Sequence, residues 1–139
     1  MRIMAIDYGD AHTGIAISDP TGFLAGYTTV ITAYRPEVVA EGIAKLVKDH
    51  GVEELVLGYP KNMDGTLGPR AEKAENMKRL LEEMIGLPVV LWDERRTTID
   101  AHQILMAGGK NAKKRKKVVD AVAASLILEG YLTFKKSQR

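Results

Sequence analysis

The chain is 139 residues long, close to the commonest size of one compact domain, so residues 1–139 are read as a single domain with little room for another. Hydrophobic residues make up 45% and charged residues 27%, and no stretch approaches the roughly 20 apolar residues that cross a bilayer, which excludes a helical membrane protein. Cysteine is absent, so a disulfide framework, a thiolate metal site and a thiol nucleophile are excluded, and the formal charge of +2 is too small to imply a polyanionic partner by itself.

Residues 2–7 form a short apolar run ending in Asp7 and read as a buried strand. The run lacks the apolar core and small-residue cleavage site of a secretory signal, so a cytoplasmic location is expected. A tight loop holding Gly9 and His12 leads to a second strand, Gly14-Ile15-Ala16-Ile17-Ser18. Asp19-Pro20-Thr21-Gly22 has Pro and Gly where a type I turn uses them, so residues 23–31 are expected to return as a third, antiparallel strand.

Pro36 suits a first helical position, and Val39, Ile43, Leu46 and Val47 then recur at helical spacing until Gly51. Leu55-Val56-Leu57 is a short strand. A turn-rich loop, Tyr59 to Gly68, precedes a helix from Pro69 to Ile85 with Ala74, Met77, Leu81 and Met84 at helical spacing before Gly86. Val89 to Trp92 is a further strand, in which Trp92 is expected to serve the core. Thr97 and Asp100 resemble a capping box for a short helix to about Met106. Gly108 to Lys117, with glycines, charges and no periodicity, reads as a mobile loop, and Val118 to Leu128 as a helix buried on most of its circumference. The order β-β-β-α-β-α-β-α-α gives an α/β domain. A mixed five-stranded sheet, with an antiparallel β1-β2-β3 meander and helices on both faces, is the RNase H-like layout.

Asp7 and Glu94 each follow an apolar strand, at the carboxyl ends where open α/β sheets place their ligand crevices. Asp120 sits among Val118, Val119, Ala121, Val122, Ala123 and Ala124, where an ionised carboxylate costs several kcal/mol unless it is paired or coordinated. Lys116 or Lys117, or the helix N-terminus, is a structural partner for it; Asp7 can simply end a strand, and Glu94 has charged neighbours in Asp93, Arg95 and Arg96. Taken together, three carboxylates without a thiol are the ligand set of hard divalent cations such as Mg²⁺. In two-metal phosphoryl chemistry, ions roughly 3.5–4 Å apart activate the water and stabilise the leaving oxygen. Asp7 is then expected to bridge the ions, Glu94 and Asp120 to bind one each, and Asp93 to support them.

The runs Asp7-Tyr8-Gly9, Gly14 to Asp19, Gly58 to Gly65, Gly68-Pro69-Arg70-Ala71, Asp93 to Thr98 and Val119 to Ala124 resemble the YqgF (RuvX) family of Holliday-junction-resolvase-like nucleases, in that family's order and over nearly the whole chain. The resemblance implies an RNase H-like fold and two divalent ions, Mg²⁺ or Mn²⁺. It also implies nuclease action on four-way DNA junctions or on the 5′ end of small-subunit ribosomal RNA precursor, in a bacterial cytoplasm. It assigns Asp7, Glu94 and Asp120 as catalytic acids, with Arg70 and Arg95 near the phosphate path. His12 stands where members commonly have arginine and is read as a surface loop residue. Tyr59 and Lys61 replace more usual apolar residues.

Lys113, Lys114, Arg115, Lys116 and Lys117 lie just before Asp120, and with Lys110 they are expected to contact phosphates, binding that weakens as salt rises; a solvated loop is the alternative. The Asn62-Met63-Asp64-Gly65 loop is open to two readings, backbone approach to substrate or a turn that needs Gly65. Thr97 and Thr98 are assigned to capping. The expected partner is an RNA precursor or branched DNA, without a membrane, and the expected state is a monomer or weak homodimer. Two rival functions stand beside the nuclease: a non-enzymatic nucleic-acid or ribosome-associated factor, and an actin-type ATPase. Against the latter, one short domain lacks the duplicated half and second phosphate loop needed to enclose a nucleotide.

Overall fold

In the computed structural model, which describes residues 1–22, 25–59, 68–93 and 112–137 (backbone only for 112–120), five strands form one mixed sheet. The strands are β1 (Arg2–Asp7), β2 (His12–Ser18), β3 (Ala25–Thr32), β4 (Val52–Tyr59) and β5 (Val89–Asp93), and the helices α1 (Pro36–His50), α2 (Pro69–Ile85) and α3 (Ala112–Ser137). The spatial order is β3-β2-β1-β4-β5. The β1-β2-β3 meander is antiparallel, while β4 runs parallel to both β1 and β5. Gly22 N–H donates to the Asp19 carbonyl at 3.0 Å, closing the turn that the Asp-Pro-Thr-Gly sequence encodes.

Strict alternation divides the sheet residues between two cores. Met4, Ile6, Ile15, Ile17, Leu55 and Leu57 point into the layer filled by Val39, Ile43, Met77 and Leu81 of α1 and α2. Ile3, Ala5, Ala16 and Val56 point the other way, against Ala124, Ile127, Leu128, Tyr131 and Leu132 of α3. Each large aliphatic residue so buried contributes about 1.5–3 kcal/mol. Pro36 and Pro69 start α1 and α2, and Gly51 and Gly86 stop them at φ of 66° and 79°, a conformation that costs glycine nothing.

Three local expectations are corrected. The segment read as a loop to Lys117 is helical from Ala112, and the helix continues past Leu128 to Ser137. Lysine, arginine and alanine are good helix formers, so a run with no apolar stripe extends the helix without giving a periodic signal. His12 belongs to the first turn of strand pairing, opposite Thr32, not to the loop. Met84 is 43% exposed, because by the end of α2 the buried stripe of Ala71, Ala74, Met77 and Leu81 has drifted so that Ile85 packs instead. Trp92 is half-buried as core, set edge-on to Tyr131 at 5.6 Å and near Phe134 at 5.5 Å. The expected helix to Met106 and the Asn62 to Gly65 turn lie outside the described residues.

Candidate functional site

Asp7 ends the central strand of the sheet and is only 7% exposed. Its strand is apolar and buried from Ile3 onward, so the carboxylate is carried at the edge of a rigid element. By alternation with Ile3 and Ala5, Asp7 faces the α3 side of the sheet. Both of its cross-strand neighbours are glycines: Gly14 is its register partner on β2, and Gly58 follows Leu57, the partner of Ile6 on β4. Neither of these two sheet neighbours therefore brings a side chain beside the carboxylate.

Because β1, β4 and β5 are parallel, their carboxyl ends share one edge, and this is the edge to which Asp7 and Asp93 belong. Asp93 is exposed, level with Tyr59 across β4. The loop after Asp7 turns at Gly9, where a Cβ would run into the His12 carbonyl oxygen, so the tight return to β2 requires glycine. Lys73 of α2 donates to Asp10 Oδ1 at 2.8 Å and ties that loop to the helix. This hydrogen bond to Asp10 also holds the lysine's pKa above its usual value. Tyr8, half-buried, has its phenol pKa raised by burial, with Lys73 opposing. Tyr59 donates to Glu75 Oε1 at 2.9 Å, and that bond raises the phenol's pKa. The first turns of α2 are thus fastened over the carboxyl ends of β1 and β4. His12 lies beside Thr32, with Nδ1 and Oγ1 3.3 Å apart.

Among the expected nucleic-acid contacts, Arg70 is exposed in the first turn of α2, close enough to Lys73 for its charge to oppose that lysine's protonation. Lys113, Lys114, Arg115, Lys116 and Lys117 are in the first turns of α3. Asp120 lies one helical turn before Ala124 in the same helix. Glu94, Arg95 and Lys61 lie outside the described residues. Sequence reasoning missed Lys73 and Glu75, whose partners are 63 and 16 residues away along the chain. The one signal available was the basic pair Arg70 and Lys73 at helical spacing just inside a Pro-started helix.

The chain is similar to known proteins over nearly its whole length. A protein of Halothermothrix orenii named "Putative pre-16S rRNA nuclease" is 48% identical over 134 residues, covering 96% of each chain. One of the same name from Bacillus subtilis is 43% identical over 134 residues, covering 95% of this chain and 97% of its own. Among solved structures, Thermus thermophilus RuvC in complex with a Holliday junction superposes with a TM-score of 0.65 at 15% identity, covering 99% of this chain and 96% of that one, a likeness of fold. The fold is RNase H-like. Residues 1–134 match the family described as "RuvX: Holliday junction resolvase", and the chain belongs to that family.

Proposed function

We propose that this protein is a nuclease that hydrolyses phosphodiester bonds of ribosomal RNA precursor at the 5′ end of the 16S sequence, using Asp7, Glu94 and Asp120 as its catalytic carboxylates. The observation that carries the reading is the seat of Asp7, buried at the carboxyl end of the central strand between two glycines. Membership of a nuclease family over residues 1–134, and the shared name of relatives at 43–48% identity, support the reaction class and the RNA substrate. Cleavage of four-way DNA junctions is the second activity, favoured by the family description and by the RuvC fold likeness.

The direction of α3 supports a place for Asp120 near Asp7. The C-terminal part of that helix lies at the start of β1, where Leu132, Lys135 and Lys136 line a cavity with Met1, Ile3 and Gly22, and Lys135 pairs with Glu54 at 2.7 Å. From Leu132 back to Asp120 is twelve residues, about 18 Å of helix packed along β1 and β2. That length leads from the start of β1 toward its end, where Asp7 stands. Glu94 immediately follows Asp93, the last residue of β5 at the same edge.

A divalent cation fits this donor set. A carboxylate as buried as Asp7 favours a cationic neighbour, the candidate ligands are all carboxylate oxygens, and the chain has no sulfur ligand from cysteine. We assign Asp7, Glu94 and Asp120 as the groups that hold Mg²⁺ or Mn²⁺, two ions in all, which supply charge neutralisation at the phosphate and activation of water. The protein's own part is to hold the carboxylates rigid, and to bind the strand's backbone through Arg70, Arg95 and the Lys113 to Lys117 segment. These contacts position the strand without reading its sequence. The test is a cleavage assay with Mg²⁺ or Mn²⁺ on a precursor carrying the 5′ leader, beside a four-way DNA junction. Shortening of the leader at the mature end supports the reading; no cleavage of either substrate refutes it.

A further inference from the structure

On the α1/α2 side of the sheet, directly behind the candidate site, a cavity of about 150 Å³ is lined by Tyr8, Pro36, Lys73, Asn76, Met77 and Leu80. It is smaller than the roughly 300–1,000 Å³ of ordinary small-molecule sites, so it suits one flat ring rather than a whole nucleotide. Pro36, Met77 and Leu80 make its walls apolar, and half-buried Tyr8 adds an aromatic face. Lys73, 56% exposed on its side chain and paired with Asp10 at 2.8 Å, and exposed Asn76 supply the polar rim, with Arg70 one helical turn before Lys73 as a further cation. An aromatic wall beside cations is the arrangement on which unpaired bases stack while their phosphates are neutralised.

Position decides which base. Tyr8 follows Asp7, so its Cα is about 3.8 Å from that of the candidate catalytic aspartate, and it packs against the α1/α2 core while Asp7 faces the α3 side. A strand whose phosphate lies at Asp7 crosses the sheet edge there, and the base next along it meets the Tyr8 side. A base held in a duplex is stacked and paired and does not enter such a slot. We propose that the cavity of Tyr8, Pro36, Met77 and Leu80 takes one unpaired nucleobase of the RNA flanking the phosphate at Asp7, with Lys73 contacting the phosphate of that nucleotide. The site makes the enzyme selective for single-stranded RNA next to the cut. This inference rests on the nuclease reading and adds the subsite.

The experiment measures binding of the full chain, by fluorescence anisotropy in EDTA so that nothing is cut, to a uridine decamer and to the same decamer stripped of its bases. Wild type is expected to bind the uridine decamer about tenfold or more tightly than the stripped one. Leu80→Trp, which fills the slot, and Tyr8→Ala are expected to lose most of that preference, and Tyr8→Phe to keep it. Thermal melting checks each variant, and if Tyr8→Ala does not fold, Leu80→Trp decides. Equal binding of the two decamers by wild type, or a preference unchanged in Leu80→Trp, overturns the inference and leaves the nuclease reading to its own cleavage assay. Binding to neither decamer also overturns the inference, and the cleavage assay with metal decides the nuclease reading.

Discussion

Lys73 Nζ lies 2.8 Å from Asp10 Oδ1, joining α2 to the loop that leaves Asp7. Both side chains are largely exposed, so the pair adds little to the stability of the fold; an exposed ion pair is screened and entropically costly to hold. Its effect is on where the loop and the cation stand. Lys73→Ala is expected to melt within a degree or two of wild type while raising KM for a single-stranded RNA severalfold, with kcat changed less. Lys73→Arg restores KM. Steady-state kinetics beside a thermal melt checks this; an unchanged KM in Lys73→Ala contradicts it.

Ala124 is fully buried where α3 meets Ala5, Ala16 and Val56. Small residues on both surfaces let the helix backbone come close to the sheet, and Asp120 is one turn away. Ala124→Leu overpacks this contact, at a cost of about 1–3 kcal/mol. Because the helix must lift, cleavage is expected to fall at least tenfold although no charged residue is changed. Urea unfolding and single-turnover kinetics on the same sample measure the two effects, and a destabilised variant with wild-type kcat contradicts the placement of Asp120 by α3.

Tyr131 is 5% exposed, and burial, followed by the neighbouring Glu54 carboxylate, pushes its phenol up to about 12 from 10.0. Below about pH 10 the phenol is protonated in folded and unfolded chains alike, and its contribution to stability is fully present. Between about 10 and 12 the unfolded chain gives up the proton first, so stability falls as pH rises, and the fall ends once the folded phenol ionises. Tyr131→Phe is expected to flatten this part of the alkaline limb. Tyr8 and Tyr59 are also raised and keep some slope. Chemical denaturation at intervals from pH 9 to 12 provides the comparison, and identical slopes for the two proteins contradict it.

Much of the fold was legible because short-range chemistry and tertiary packing agree. The apolar run ending in Asp7, the turn at Asp19, and the Pro-to-Gly limits of α1 and α2 are local signals, and the structure places each element accordingly. The basic start of α3 was not legible, since helix propensity without an apolar stripe leaves no period to read. The position of Asp7 at a strand end followed from the sequence, but its flanking by Gly14 and Gly58 depends on register, which only pairing reveals. Lys73 with Asp10, Tyr59 with Glu75 and the cavity beside Tyr8 are contacts between distant segments, and no local pattern encodes them. Glu94 was read from its place just after an apolar strand and Arg95 from the family motif, and both lie outside the described residues.

The Asp7 carboxylate is expected to be indispensable to strand cleavage. Asp7→Asn keeps the shape of the side chain and removes its charge, so the variant is expected to fold and to bind RNA while cutting at least a thousandfold more slowly in Mg²⁺. Calorimetry is expected to show Mn²⁺ binding by wild type and its loss in Asp7→Asn. A folded Asp7→Asn protein that cleaves the precursor at near the wild-type rate, and binds Mn²⁺ as wild type does, contradicts the account.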